Sequence, residues 1–522
     1  TEKDTTSTFG AEAKSGAGAA EVGIAGSVAL NIVDTSSVAK IASGATINVI
    51  ANRTDGNTAN DGNVSLVAEN NSESTAKALP HEEQVASGKK VGIGASVALN
   101  IGVNHAVAEI EDNVKLSGAN NTTLDASGSH SLTTEAKAGS KGGVSVTPVV
   151  AITIADNQAL AQVGSGDTLL DADKPLNITG NLTVAADNSG NSTTKAEGQA
   201  DGEKAAVGIA VGLTLAVDEA EATTERNIVA ASGGVSFQAD NASVANTDVI
   251  ASAAGGKAAK DDGSVQDGDK DVNANVQAQT TKVAKKDVIK DKASDKAKAS
   301  LAAPPKAETS EGSVSVAAAV GVNIDTSSAK AYTSDGVSIT SGKALVLKTT
   351  NNSAAAAIAE GKAVSKVDTD GNKVGVGAAV AVNVANVTNE AKLGVGSHNV
   401  KGLEVTADMR DVGTQDNSDI TNNFSAQATS GAGGSKVGIA GSVAVNTVVN
   451  TTAAEVASGA TVNAGNGDVI LRAEQQSISE AKALPTKEGV TGGKVGIGAS
   501  VAVNVISDNT KASIAQNANL TN

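Results

Sequence analysis

Strict alternation of apolar and small polar residues dominates this chain. Within residues 91–101, Val91, Ile93, Ala95, Val97, Leu99 and Ile101 fall on one parity, and Gly92, Gly94, Ser96, Ala98 and Asn100 on the other. A period of two with β-branched residues on one side predicts a strand. The pattern reads VGIAGSVALN at 22–31, VGIGASVALN at 91–100, VSVTPVVAIT at 144–153 and VGIAVGLTLA at 207–216. It returns as VSVAAAVGVN at 314–323, VGVGAAVAVN at 374–383, VGIAGSVAVN at 437–446 and VGIGASVAVN at 495–504. The steps are 69, 53, 63, 107, 60, 63 and 58 residues, so all but one lie close to sixty. Between copies come shorter alternating pieces such as AEVASGATVN and DVILRAE, then an Ala-alternating piece such as SISEAKA and a Gly/Lys-rich turn.

A longer period overlies the short one. Residues 22–48 match 437–463 at 17 of 27 positions, and 91–100 match 495–504. Copies seven and eight therefore restart copies one and two, which reads as a slice of a longer tandem array. A sixty-residue unit of this kind cannot bury its own apolar face, so units must stack. The expected fold is all-β: an elongated parallel β-solenoid (β-helix) of about eight sixty-residue repeats, one wide flattened coil per repeat. In that expectation the Val/Ile parity points inward against the Ala strand, large against small, and the Gly/Ser/Ala/Asn parity forms a flat outer face. Repeats occupy 1–253 and 312–522, with 437–522 restarting the super-repeat. A Lys/Asp/Ala-rich insertion at 254–311 sits at the turn between Ala and Val strands. Its 281–302 stretch reads either as a helix ended by Pro304 and Pro305 or as a solvated low-complexity excursion.

Asparagine holds the tenth motif position at Asn31, Asn100, Asn323, Asn383, Asn446 and Asn504. Two structural readings stand side by side: amides bonded along a stack, or strand-end residues suited to a turn.

Composition sharpens the picture. Three Phe, one Tyr and no Trp among 522 residues leave few large side chains, so thick globular cores are not expected. A net charge of −17 argues against nucleic acid as a partner. No apolar run is long enough for a membrane helix, and the absence of Cys removes thiol chemistry. The GxG within VGIGAS lacks the third Gly of a dinucleotide fingerprint and leads into more strand. Asp267, Asp269, Asp271 and Asn273 alternate like the start of a calcium loop, but Val272 and Ala278 stand where such a loop needs Gly and Glu. They form a weak Ca²⁺ candidate beside the simpler reading of an acidic surface loop. His81, His105, His130 and His398 share no repeat position and read as surface or turn residues. No catalytic residue and no cofactor, Ca²⁺ aside, is expected.

The repeated V-G-[IV]-[GA]-[AG]-[SA]-V-A-[VL]-N motif followed by GAT[IV]N resembles large repetitive bacterial surface proteins of the filamentous-haemagglutinin-like and leukotoxin-like β-solenoid type. The resemblance spans nearly everything outside 254–311. It implies a secreted, extracellular or cell-surface fibre or adhesin stalk without enzymatic activity. Its partners would be neighbouring repeats of the same longer chain, lateral copies, or cell-surface and polysaccharide ligands. Alternatives are a carbohydrate-binding or carbohydrate-active solenoid and a calcium-dependent adhesive module.

Overall fold

The structure, a computed structural model, describes residues 6–49, 62–81, 85–165, 174–254, 314–364, 374–409, 422–434 and 436–521. Among them the regular structure is all β, with no helix, and every strand pairing is parallel. Apart from Ala254, which ends the strand Val235–Ala254, the insertion and its four calcium-candidate residues Asp267, Asp269, Asp271 and Asn273 lie outside the described residues, as does the 281–302 stretch.

Three ladders organise the strands. The Val ladder runs through Val22–Ile41, Ala86–Ile110, the second halves of Thr122–Val163 and Leu182–Thr224, then Val314–Thr333, Val374–Leu393, Val437–Val456 and Val495–Ile514. The Ala ladder runs through Ser7–Ser15, Val64–Pro80, the first halves of Thr122–Val163 and Leu182–Thr224, Val235–Ala254 and Leu345–Val364. It continues through Leu403–Met409 with Asn423–Gly434, and Val469–Gln475 with Ile478–Gly492. The long strands form one large parallel sheet, nearly barrel-shaped. A row of three-residue strands, the short ladder, completes the set in two paired runs, Thr46–Asn48 with Lys115–Ser117, and Leu176–Ile178 through Asn519–Thr521. The chain visits Ala, Val and short ladders in that order and returns one position further along.

Register corrects one boundary. The strand expected to begin its motif at Val207 begins two residues earlier, with Ala205 paired to Val144 and Val314. A shift of two preserves strand parity, so alternation alone cannot distinguish the frames. The step across the insertion is thereby 109 residues, yet the ladder crosses it in register. Tyr332 ties this junction, its hydroxyl donating to Glu221 Oε1 at 2.6 Å.

The expected sidedness is inverted. Gly92, Gly94, Ser96, Ala98 and Asn100 face the interior, and Val91, Ile93, Val97 and Leu99 face out. The second layer covering the small-residue face is the chain's own Ala ladder. Near the turn joining the two ladders, the backbones approach so closely that a Cβ on Gly94 would lie 2.3 Å from Gly139 O, and one on Gly377 2.1 Å from Gly431 O. Such a gap has no room for Val, so the bulky parity is forced outward. Alanines such as Ala98, Ala136, Ala151 and Ala196 fill this thin edge.

Towards the short ladder the section widens. Ile110, Leu124, Val163, Leu182, Phe237, Leu347 and Val456 point inward there and meet short-strand residues Leu116, Ile178, Ile228, Ile339 and Val462. The entry to the short strands repeats one backbone feature: Gly44, Asn113, Gly336, Gly459 and Asn517 all have φ between 58° and 90°. Glycine and asparagine tolerate that left-handed turn where a branched residue is strained.

Candidate functional site

Between thin and thick edges lies a buried polar column. Asn31, Asn100, Asn323, Asn383, Asn446 and Asn504 occupy one register column, with Thr153 and Thr214 between Asn100 and Asn323. Asn323 Nδ2 donates to Asn383 Oδ1 at 2.8 Å, Asn383 to Asn446 at 2.8 Å and Asn446 to Asn504 at 3.0 Å. Asn31 makes a longer bond, 3.3 Å, to Asn100. Where threonine replaces asparagine, hydroxyls carry the column: Thr153 Oγ1 lies 2.6 Å from both Thr134 and Thr194, and Thr214 Oγ1 lies 2.7 Å from both Thr194 and Thr247. An amide has a donor and an acceptor, so identical amides in parallel register satisfy one another.

A second chain of bonds runs beside the first and ends in carboxyls. Thr35 donates to Asn104 Oδ1 at 2.7 Å, Asn104 to Asn157 at 2.8 Å and Asn157 to Asp218 Oδ1 at 2.7 Å. Ser243 Oγ then lies 2.6 Å from Asp218 Oδ2 and 2.8 Å from Asp325 Oδ1, while Ser353 Oγ donates to Asp325 Oδ2 at 2.7 Å. Gly190 makes room for this arrangement, since a Cβ there would sit 1.8 Å from Asp218 Oδ1. A hydroxyl has one hydrogen to donate. Both Ser243 contacts are hydrogen bonds only when one of the two carboxyls is protonated and donates back. Burial pushes the Asp218 carboxyl up to about 6, against the pull of bonds from Ser243, Asn157 and Asn188.

Two histidines correct the surface expectation. His130 is buried with Nδ1 2.9 Å from Ser72 Oγ, and burial holds its imidazole down at about 3, hence neutral. His398 is buried beside Gly394 O at 3.4 Å, and burial lowers it too. His130 stands at an inward position between Ser72 and Gly190, where a ring replaces small residues, and His398 stands on the short ladder level with Val462, where it replaces an aliphatic side chain.

One cleft opens beside the short ladder, where Lys115–Ser117 and Leu176–Ile178 lie side by side without strand pairing. Arg226 forms its floor, donating from Nε to Lys174 O at 2.9 Å and from Nη2 to Val114 O at 2.7 Å. These bonds hold together segments that the missing ladder pairing leaves apart. Among the described residues, no group of three or more His, Asp or Glu side chains is arranged to hold a metal. No helix there is long and apolar enough to cross a membrane.

The outer faces differ sharply. The Ala ladder turns Glu69, Glu73, Lys77, Asp125, Glu135 and Lys137 outward, with Lys137 2.9 Å from Glu135. The first half of the Val ladder turns out an almost unbroken aliphatic field. Inward parity would have revealed Asp218 and Asp325 as buried acids in the sequence; with the opposite parity they read as ordinary surface carboxylates. Arg226 carried no comparable signal, because its partners are backbone carbonyls remote in sequence. Comparison with known protein families, with curated proteins and with solved structures finds no match.

Proposed function

We propose that this chain is a structural segment of a long extracellular fibre or adhesin stalk: a parallel β-solenoid that gains one coil per sixty-residue repeat. The observation that carries this reading is register constancy. Each Val-ladder junction aligns the ten-residue motif without a slip inside it, although intervening chain lengths vary widely. A stack that transmits register across any spacer extends by adding repeats, which suits a spacer or stalk. The column of amides and hydroxyls serves this role, because it fixes each coil on the next and leaves those groups occupied by structural bonds. The cell-surface location and the non-enzymatic role follow from the sequence resemblance to repetitive bacterial surface proteins.

Removing one period tests the proposal. In a chain lacking residues 374–436, Val437 would pair with Val314, and the Val469–Gln475 strand with Leu345–Val364. The expected result is a β-rich circular dichroism spectrum and a cooperative melt close to those of the full chain. A deletion variant that fails to fold, while the full chain folds, would show that the units are not interchangeable coils and would remove the basis for the proposal.

A further inference from the structure

The outward aliphatic field has the dimensions and texture of a protein interface. Its columns follow the strand register. Val28, Val97, Val150, Val211, Val320, Val380, Val443 and Val501 form one ridge, unbroken across all eight strands. On one side of this ridge stand Leu30, Leu99, Ile152, Leu213, Val322 and their successors. On the other side runs a shallow furrow of Gly26, Ala95, Ala318, Ala378, Gly441 and Ala499, interrupted by Pro148 and Ile209. Even away from the terminal strands these side chains meet solvent, with Val97 and Ile209 each 40% exposed and Ile439 37%.

Ten residues of strand rise across eight strands cover about 1,200 Å² on one copy. A stable interface needs roughly 800 Å² per partner, and an ordinary monomer exposes apolar patches of only about 300–600 Å². We infer that this field is a lateral interface between two copies of the chain, packed sheet on sheet with the valine ridge of one copy in the small-residue furrow of the other. A second copy fits because ridge and furrow share one repeat along the stack and because both partners supply the same area. The far half of the same outer face limits the contact. There Glu221, Lys330, Glu390, Lys392, Glu455 and Lys511 mix both signs, with Lys511 paired to Glu455. Such a band is readily solvated and forms a natural rim. This inference is independent of the fibre reading, since a solenoid stalk functions equally well as a monomer.

The test is sedimentation equilibrium on the 522-residue chain. The expected result is reversible dimerisation or higher association below about 100 µM, within reach of a standard-sized interface. The variant Val97→Lys/Val211→Lys/Val380→Lys places three charges on the ridge and is expected to weaken association about a hundredfold or more. Lysines at the outward Ala-ladder positions, Ser127→Lys/Thr183→Lys/Gln238→Lys, are expected to leave it unchanged. A chain monomeric at that concentration overturns the inference, including the case where it instead floats with phosphatidylcholine vesicles and so uses the field on lipid. Equal association of both lysine variants also overturns it. Should the ridge variant fail to fold, the absence of native cysteine allows a second measurement. A short bifunctional maleimide should link copies of Val211→Cys but not of Ser127→Cys. Linking that is equal at both sites, or absent at Val211, overturns the inference.

Discussion

At the thin edge of the cross-section, Gly94 and Gly377 face backbone carbonyls so closely that no side chain fits. At the thick edge, Phe237, Leu124 and Ile110 are completely buried among other aliphatics. The Val and Ala ladders line both edges, but only at the thick edge does the short ladder stand between them and hold them apart, leaving space that large side chains fill. At the thick edge stability comes from apolar area removed from water, and a lost group leaves a cavity. At the thin edge little area exists to bury, and stability depends on the close approach of two backbones. One edge is sensitive to removal of atoms, the other to their addition.

Truncation at the thick edge should have the largest effect. Phe237→Ala empties the place of a fully buried ring and is expected to cost about 3–5 kcal/mol in denaturant unfolding. A loss below about 1 kcal/mol would mean that the edge is loosely packed. The converse change at the thin edge comes next. Gly377→Ala is expected to cost about 2–3 kcal/mol, since the new methyl meets a backbone oxygen that a rotamer change cannot move. Its companion Gly441→Ala lies on the outer parity, where the nearest atom is 3.9 Å away, and should stay within about 0.5 kcal/mol of the parent. Equal effects at the two glycines would disprove the sidedness of the Val ladder.

A smaller effect is expected in the middle zone and depends on pH. The folded Asp218 carboxyl titrates near 6, above its ordinary 3.8, because burial disfavours the charge. The folded state therefore holds this proton more tightly than the unfolded chain does. That contribution to stability is fully present below about pH 4 and is lost as pH rises through about 6. The groups facing Asp218 are Asn157, Asn188, Ser243, Ser327 and the Asp325 carboxyl, with Asp156 adding repulsion. Asp218→Asn should flatten the pH dependence of stability between about pH 4 and 6 and raise stability at neutral pH by about 1–3 kcal/mol. Unfolding measured across that range checks the slope. An unchanged slope would place the titrating proton elsewhere, with Asp248, which burial also raises to about 6 against the pull of Lys195, as the next group to test.

Strand character and the sixty-residue spacing were legible in the sequence because alternation and recurrence are properties of order along the chain. Sidedness was not. The expectation that Val and Ile must point inward rests on burial of area, and it fails where two backbones leave space only for hydrogen or methyl. The two-residue displacement at Ala205 was invisible for a related reason, since either frame gives the same alternation and only a neighbour's register separates them. Once the sides are reversed, the column Asn157–Asp218–Ser327 is a consistent set of small polar residues at one inward position. That reversal does not reveal the two buried histidines, because His130 lies on the Ala ladder and His398 on the short ladder. Arg226 depends on a local failure of pairing between two short strands, and no periodic pattern marks a failure.

The pairing of Tyr332 with Glu221 gives one junction an optical label. With no tryptophan in the chain, a single phenol dominates near-ultraviolet absorption above the weak phenylalanine bands. That phenol lies where the ladder rejoins after the insertion, and burial together with the neighbouring Glu221 raises the pH at which it ionises. Its spectrum thus reports one seam of the molecule, the place where two stretches of chain more than a hundred residues apart become neighbours.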